Sequence, residues 1–255
     1  MDTSLKGRVA LITGGGSGIG KAIATRFAAS GAKVIVNDMR DEGVAVANDL
    51  KGAFIKANLA DMEETRQLAK KAVGLEGRVD ILVNNAGYQN VAPVDEFPEE
   101  VWAQMVQVML VAPFQLTKYV VPGMKAQKWG RIINMASIHG LVASPYKSAY
   151  NAAKHGIVGL TKTVALEVGE FGITVNAICP GYTRTPLVEA QLESQAKTFG
   201  ITPEEVVRKI MLEPAAIKRM IEPEEIAGLA RFLASDEARS ITGASYAIDL
   251  GWTAR

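Results

Sequence analysis

The chain has 255 residues, 48% of them hydrophobic, which is enough for one large domain with a substantial core. Its 28 basic residues nearly balance 27 acidic ones, so bulk charge gives no reason to expect a nucleic acid or a membrane surface as a partner. A single cysteine, Cys179, excludes an internal disulfide. With no signal-like or bilayer-length apolar run, we expect a cytoplasmic protein.

The first predicted strand runs from Val9 to Thr13 and is continuously apolar, as in a strand buried on both faces. A glycine-rich loop follows at once, with glycines at positions 14, 18 and 20, and a helical pattern begins at Lys21. Strand, glycine loop and helix form the context of a dinucleotide fingerprint, in which the helix N-terminus faces the phosphates. The alternative is a plain glycine-rich turn.

The second predicted strand ends at Asp38, 18 positions after Gly20. A carboxylate at this point can accept hydrogen bonds from both ribose hydroxyls and repels a 2′-phosphate, so we predict NAD as the cofactor. Arg40 lies close enough in sequence to leave NADP as an alternative.

Further along the chain, short apolar runs at 53–58 and 79–83 alternate with helical patterns at 41–50 and 62–75. This alternation predicts a parallel, doubly wound sheet with helices on both faces and a ligand beyond the carboxyl ends of its strands. Residues that follow two of these strands are predicted to contact the cofactor: Asn58, Leu59, Asn85, Ala86 and Gly87.

A long helix is predicted from Glu99 to about Lys128, with Pro113 in its interior. Because an interior proline removes a hydrogen bond and clashes with the preceding turn, we expect a kink there or two helices end to end.

After it come a strand at 131–136, a helix at 148–169 and a strand at 173–179. The segment 184–218 then holds two amphipathic pieces, at about 187–197 and 203–212, which we interpret as a helical lid over a substrate. A helix at 223–235 and a strand at 245–249 complete a single predicted domain.

Three side chains suit acid–base chemistry. Tyr150 and Lys154 are one helical turn apart, and a neighbouring ammonium favours the phenolate, which would lower the tyrosine pKa. Ser137, at the end of the strand at 131–136, can hydrogen-bond a substrate oxygen. Taken alone, the Tyr–Lys pair could equally be an amphipathic helix face.

Five motifs in register resemble the short-chain dehydrogenase/reductase family over nearly the whole chain: Thr13-Gly14-x-x-x-Gly18-x-Gly20, Asn84-Asn85-Ala86-Gly87, Ser137, Tyr150-x-x-x-Lys154 and Pro180-Gly181. The resemblance implies a Rossmann-type fold, a nicotinamide cofactor, and catalysis by Tyr150 with Lys154 and Ser137. It also implies cofactor contacts along those motifs, from Thr13, Gly14, Ser17, Gly18, Ile19, Gly20, Tyr150, Lys154, Pro180, Gly181, Thr183 and Thr185.

A closer resemblance, to family members that act on a small hydroxy acid, implies a carboxylate site. Besides Ser137 and Tyr150, four polar side chains could converge on such a substrate: Gln89, His139, Lys147 and Gln191. Singly, each could instead be solvated or bonded to backbone. No metal ligand is predicted. The alternatives are a thioester reductase or a sugar dehydrogenase of the family and, outside enzymes, a nucleotide sensor.

The chain departs from the family pattern at Met109, which stands where an asparagine that helps to hold a relay water is usual. Relatives are commonly tetramers, so the resemblance also implies a homotetramer packed through the helices at 99–128 and 148–169. For Trp252 near the C-terminus we expect either a packed anchor or a cap on a pocket or subunit contact.

Overall fold

The computed structural model describes residues 3–186, 188–189, 192, 196 and 200–254. It contains a seven-stranded sheet, as the alternating pattern predicts. The strands are β1 (Val9–Thr13), β2 (Lys33–Asp38), β3 (Ala53–Lys56), β4 (Ile81–Asn84), β5 (Gly130–Met135), β6 (Ile173–Pro180) and β7 (Ser245–Ile248).

The described helices connect these strands and cover both faces of the sheet. They are α1 (Gly18–Ala29), α2 (Glu42–Asp49), α3 (Met62–Glu76), α4 (Glu99–Val106), α5 (Ala112–Gln127), α6 (Ser148–Val168), α7 (Pro203–Val206) and α8 (Pro223–Ala234). None of the helices within the described ranges combines the length and the apolarity that crossing a bilayer requires.

All strand pairs are parallel, in the order β3-β2-β1-β4-β5-β6-β7. From β1 the chain adds β2 and β3 on one side, and then β4 to β7 on the other side, so the order of strand addition reverses between β1 and β4. Ligands of such sheets bind in the crevice at the carboxyl ends of the strands where this reversal occurs. The fold is therefore the predicted Rossmann-type, doubly wound sheet.

Two apolar layers cover the sheet. Phe27, Ile226 and neighbours from α1, α2 and α8 pack on one face. Leu68 and Leu116, with residues of α4 and α6, pack on the other. The strands β1, β5 and β6 are buried along their whole length, which explains why their sequences are mostly apolar.

The long predicted helix divides into two, end to end, as its proline leads us to expect. A π-helical turn, Gln107–Val111, separates α4 from α5, and Pro113 stands at the start of α5. A widened turn changes the hydrogen-bond ladder just before a residue that has no amide hydrogen to donate. Met109 lies within this turn and is buried.

Candidate active site

One large cavity, of about 790 Å³, opens at the carboxyl ends of the strands around the β1–β4 crevice. It lies where the fold predicts a ligand. Of the residues predicted for the site, twenty line it: Gly14, Ser17, Gly18, Ile19, Asp38, Asn58, Leu59, Asn85, Ala86, Gly87, Gln89, Ser137, His139, Lys147, Tyr150, Lys154, Pro180, Gly181, Thr183 and Thr185.

Two predicted cofactor contacts, Thr13 and Gly20, do not line the cavity. Thr13 is buried, and its hydroxyl donates to the Val83 carbonyl while accepting from the amides of Asn85 and Ala86. At Gly20 an added Cβ would lie 2.1 Å from the Gly14 carbonyl oxygen. Both residues therefore hold the glycine loop in place without lining the cavity.

The glycine loop leaves its inner surface open to a ligand. Gly14 and Gly18 have φ angles of 61° and 51°, a region that favours glycine, and neither presents a side chain to the cavity that it lines. The Asn85 amide group donates to the carbonyls of Thr13 and Gly14, at 2.9 and 3.1 Å, and so ties the loop to the end of β4. The loop then leads into α1, whose N-terminal amides suit a phosphate.

Asp38 closes β2 at the edge of the cavity and is largely buried. One carboxylate oxygen accepts from the Gly16 amide at 3.1 Å, and the other accepts from the Arg40 amide at 3.1 Å. The Arg40 side chain is more than half exposed, with its Nε 3.8 Å from the Asp38 carboxylate. The carboxylate is thus fixed in one orientation by backbone donors.

Sequence reasoning missed the contribution of Gly16 to this orientation. A Cβ at that position would lie 2.8 Å from the Asp38 carboxylate, so the contact requires glycine. The run of three glycines at 14–16 is the signal that could have indicated it.

At the far end of the cavity the structure brings together the three predicted catalytic residues. Ser137 follows β5, and its hydroxyl oxygen accepts from the His139 amide at 3.1 Å and takes part in a hydrogen bond with Tyr150. Lys154 is buried one turn beyond Tyr150 on α6, with its Nζ 5.5 Å from the tyrosine ring centroid. The Lys154 ammonium donates to the Met135 carbonyl at 2.6 Å.

The acid–base properties of this group differ from the sequence-based prediction. Burial raises the pKa of Tyr150, opposed by its hydrogen bond with Ser137. Burial also lowers the pKa of Lys154 to about 8. The expected lowering of the Tyr150 pKa by Lys154 is therefore wrong for this structure, because loss of solvent outweighs the other effects.

Beyond Tyr150, His139 and Lys147 form a second polar group. The Lys147 Nζ lies 3.4 Å from His139 Nε2. Burial, together with the charge of Lys147, lowers the pKa of His139 to about 4, so the imidazole is neutral at physiological pH. Among the described residues, His139 Nδ1 and Gln89 Oε1 are buried atoms without a hydrogen-bond partner.

These groups can receive an anion. Lys147 is also the N-cap of α6, a helix of 21 residues, whose N-terminus favours negative charge. Burial lowers the pKa of Lys147, which shows that its ammonium is poorly solvated and would gain from a negative partner. The fourth predicted member, Gln191, lies outside the described residues.

The wall opposite the glycine loop comes from the segment after β6. Thr183 is buried, its hydroxyl donates to the Gly181 carbonyl, and a bridge pairs it with Ile221. A Cβ at Gly18 would lie 3.2 Å from the Thr185 methyl group, so Thr185 closes over the loop. Tyr182, between Gly181 and Thr183, lines the cavity with its ring centroid 5.7 Å from the Lys147 Nζ. It was missed from the sequence although it directly follows the Pro180-Gly181 motif.

The second predicted lid piece is present as α7, which begins with a capping box between Thr202 and Glu205 and continues into a π-helical turn, Val207–Met211. The first piece, 187–197, lies mostly outside the described residues. Trp252 packs with this segment, and its indole NH donates to the Met211 carbonyl at 3.1 Å. Trp252 is thus packed as an anchor would be, and its ring also lies edge-on to the His139 ring at the cavity, with the centroids 5.9 Å apart.

A family model described as short chain dehydrogenase matches residues 8–196. The chain belongs to the short-chain dehydrogenase family. Its members are oxidoreductases that use a nicotinamide cofactor. Two relatives are named D-beta-hydroxybutyrate dehydrogenase. The one from Rhizobium meliloti is 48% identical over 256 residues, covering 97% of this chain and 99% of the relative. The one from Cupriavidus necator is 45% identical over 257 residues, covering 98% and 100%.

A solved structure is also similar over the full length of both chains, with a TM-score of 0.88 and 35% identity. That protein, from Beutenbergia cavernae, is assigned as an NAD(P)-dependent gluconate 5-dehydrogenase and carries NADP at low occupancy. The oxidoreductase prediction is thus confirmed.

The cavity fits a nicotinamide dinucleotide along its length. The glycine loop offers space and amides for a pyrophosphate, and the Asp38 carboxylate lies at the cavity edge, where it could accept hydrogen bonds from ribose hydroxyls. Toward the catalytic residues, Ala86 and Gly87 add little bulk to the wall. Gly87 lies against Met109: an added Cβ would meet the Met109 sulfur at 3.1 Å and the Lys154 Nζ at 3.8 Å.

Proposed function

We propose that this enzyme catalyses the reversible, NAD-dependent oxidation of (R)-3-hydroxybutyrate to acetoacetate. The observation that carries the proposal is the pairing of Lys147 with neutral, buried His139 a short distance beyond the Ser137–Tyr150 pair. The His139 and Tyr150 ring centroids are 6.1 Å apart. One end of a short hydroxy acid can then meet a cation while its hydroxyl meets the acid–base residues.

Each described residue has a separate role in this proposal. Ser137 donates a hydrogen bond to the substrate oxygen. During reduction the neutral Tyr150 hydroxyl, which burial favours, gives its proton to that oxygen, and during oxidation the deprotonated Tyr150 takes the hydroxyl proton. Lys154 holds the ribose of the bound cofactor and keeps a positive charge near Tyr150. The nicotinamide, when bound, supplies the hydride acceptor for C3.

The carboxylate is held by charge and by hydrogen bonds. Lys147 supplies the charge, and the partnerless Nδ1 of His139 and the side-chain amide of Gln89 supply hydrogen bonds. The oxygen and nitrogen of that amide exchange by a simple flip, so Gln89 can present its NH₂ group to the anion. Gln191 is proposed as a further donor from the segment 184–218, which we propose closes over the substrate as a lid.

NAD is proposed as the cofactor because the Asp38 carboxylate is held at the end of β2 by two backbone amides. In that orientation it accepts from the ribose hydroxyls and repels a 2′-phosphate. Arg40 is the side chain that would favour NADP, but it is turned toward Asp38 and Glu42, 3.8 and 4.0 Å from their carboxylates.

A homotetramer is proposed as the assembly. Large apolar side chains are exposed on the helices expected to pack between subunits: Trp102 on α4, Phe114 on α5 and Leu166 on α6, the last 86% exposed. Burying them against other copies of the chain would remove this surface from water.

The test is a substrate panel with NAD: 3-hydroxybutyrate, its methyl ester, gluconate and a 3-hydroxyacyl thioester. The proposal predicts the highest kcat/KM for free 3-hydroxybutyrate, since only this substrate combines a short chain with a carboxylate for Lys147. A higher value for gluconate or for the thioester would replace the substrate assignment with a sugar dehydrogenase or a thioester reductase and leave the oxidoreductase assignment standing.

A further inference from the structure

Tyr146 has a left-handed backbone, with φ at +65°. This conformation brings the Cβ of an L-residue too close to its own backbone, and it is rare for bulky side chains. Tyr146 is 59% exposed, so burial of the residue does not compensate the strain. Strain of this kind persists where the surrounding structure imposes it, and it concentrates at functional sites.

The next residue violates a second local preference. Lys147 occupies the N-cap of α6 and makes no side-chain cap to the first-turn amides. Serine, threonine, aspartate and asparagine are favoured at an N-cap, and a cation there opposes the helix dipole. The left-handed backbone at Tyr146 and the lysine at the N-cap are both unfavourable for stability, and they are adjacent at the edge of the cavity. Their combination indicates that this segment serves the function of the site.

The hydrogen bonds around these residues show what the arrangement achieves. The Tyr146 carbonyl accepts from the Ala92 amide at 3.0 Å, which ties the loop before α6 to the loop that carries Gln89. On the other side, Asn151 holds the Lys147 carbonyl through its amide at 2.9 Å and the Ser144 carbonyl through its side chain at 2.8 Å. The backbone is fixed on both sides of the left-handed residue.

The consequence is the direction of the Lys147 side chain, which runs inward and ends 3.4 Å from His139 instead of extending into solvent. We propose that Tyr146 is a positioning residue whose left-handed backbone turns Lys147 into the cavity and holds the Gln89 loop beside it. This inference rests on the proposed carboxylate site and concerns its preorganisation.

The test separates backbone from side chain. Glycine adopts a positive φ without strain, whereas a β-branched residue does so least readily. We expect Tyr146→Val to raise KM for 3-hydroxybutyrate by about tenfold or more, the equivalent of losing one charge-assisted hydrogen bond. KM for the neutral methyl ester should stay nearly constant. Tyr146→Gly should keep the wild-type KM for both substrates and match or exceed the wild-type melting temperature.

A matched control is available at Lys128, another non-glycine residue with a left-handed backbone, at the C-terminus of α5. Lys128→Val should lower the melting temperature without separating the KM values of acid and ester. The inference is overturned if Tyr146→Gly raises KM for the acid as Tyr146→Val does, or if neither variant changes it. Tyr146→Gly retains the allowed conformation, so it serves as the test even where Tyr146→Val does not fold.

Failure of this inference and failure of the proposed function give different results. Wild-type enzyme that does not oxidise 3-hydroxybutyrate contradicts the function. Wild-type enzyme that does oxidise it, with no separation between the Gly and Val variants, contradicts only the role of Tyr146.

Discussion

Replacing Lys147 by methionine removes the charge at the proposed carboxylate site while keeping most of the side-chain length. Two unit charges about 4 Å apart attract by roughly 4 kcal/mol at an effective dielectric constant of 20. Part of that is lost, because burial already disfavours the Lys147 ammonium. A net value of about 1.5–3 kcal/mol is typical of a hydrogen bond to a charged group. We therefore expect KM for 3-hydroxybutyrate to rise about 10- to 150-fold.

The assay measures initial rates of NADH formation over a range of substrate concentrations, for the free acid and for its methyl ester. The ester lacks the charge, so its KM should change by no more than about twofold, within the effect of a neutral contact. Lys70→Met, at an exposed position on α3, controls for the loss of a lysine. Equal increases for acid and ester would refute the assignment of Lys147 to the carboxylate.

Four further predictions concern other parts of the site. Tyr150→Phe should lower kcat by about a hundredfold or more, with NADH affinity by fluorescence titration unchanged; lost cofactor binding would refute the acid–base role. Asp38→Ser should raise the ratio of NADP to NAD kcat/KM by about tenfold or more, and an unchanged ratio would remove Asp38 from cofactor selection. The pKa of His139 is lowered from 6.5 to about 4 in the folded protein, so on acidification the unfolded state binds a proton first. The free energy of unfolding of the wild-type enzyme, measured by denaturant titration, should therefore fall by up to about 3 kcal/mol between pH 6.5 and pH 4, and that of His139→Gln should fall less. Parallel plots of unfolding free energy against pH for the two proteins would contradict this. Met109→Asn should raise kcat, because Met109 and Lys154 both lie against Gly87 and a polar group there would speed proton exchange; an equal or lower kcat would contradict this.

The elements of this fold could be predicted because its strands are buried on both faces. Val9–Thr13 and Ile173–Pro180 are apolar runs long enough for a strand and too short for a helix, and each ends at a glycine-containing motif. The position at which the long helix divides could be predicted from Pro113, but the π-helical form of the break could not. A π-helical turn depends on the packing of Met109 and its neighbours, and leaves no sequence pattern.

Within the site, sequence identified which residues meet but not how each is held. Thr13 belongs to a motif, yet its hydroxyl hydrogen-bonds the backbone at the end of β4. This contact depends on the register between β1 and β4, which the motif does not reveal. The pKa of Tyr150 depends on burial, which no spacing on a helix reveals. The left-handed backbone at Tyr146 is flanked by hydrogen bonds from Ala92 and Asn151, one of them more than 50 positions away in sequence, so no local sequence pattern predicts it.

The most direct test of the proposed function is the rate of reduced cofactor formation from (R)-3-hydroxybutyrate with NAD, measured beside the (S) enantiomer and beside NADP. Rapid turnover of the (R) form with NAD, and little with either alternative, is the predicted result. It would support the orientation of substrate between Lys147 and Tyr150 and the selection of NAD by Asp38. Absence of turnover in an enzyme that still binds NADH would contradict the substrate assignment.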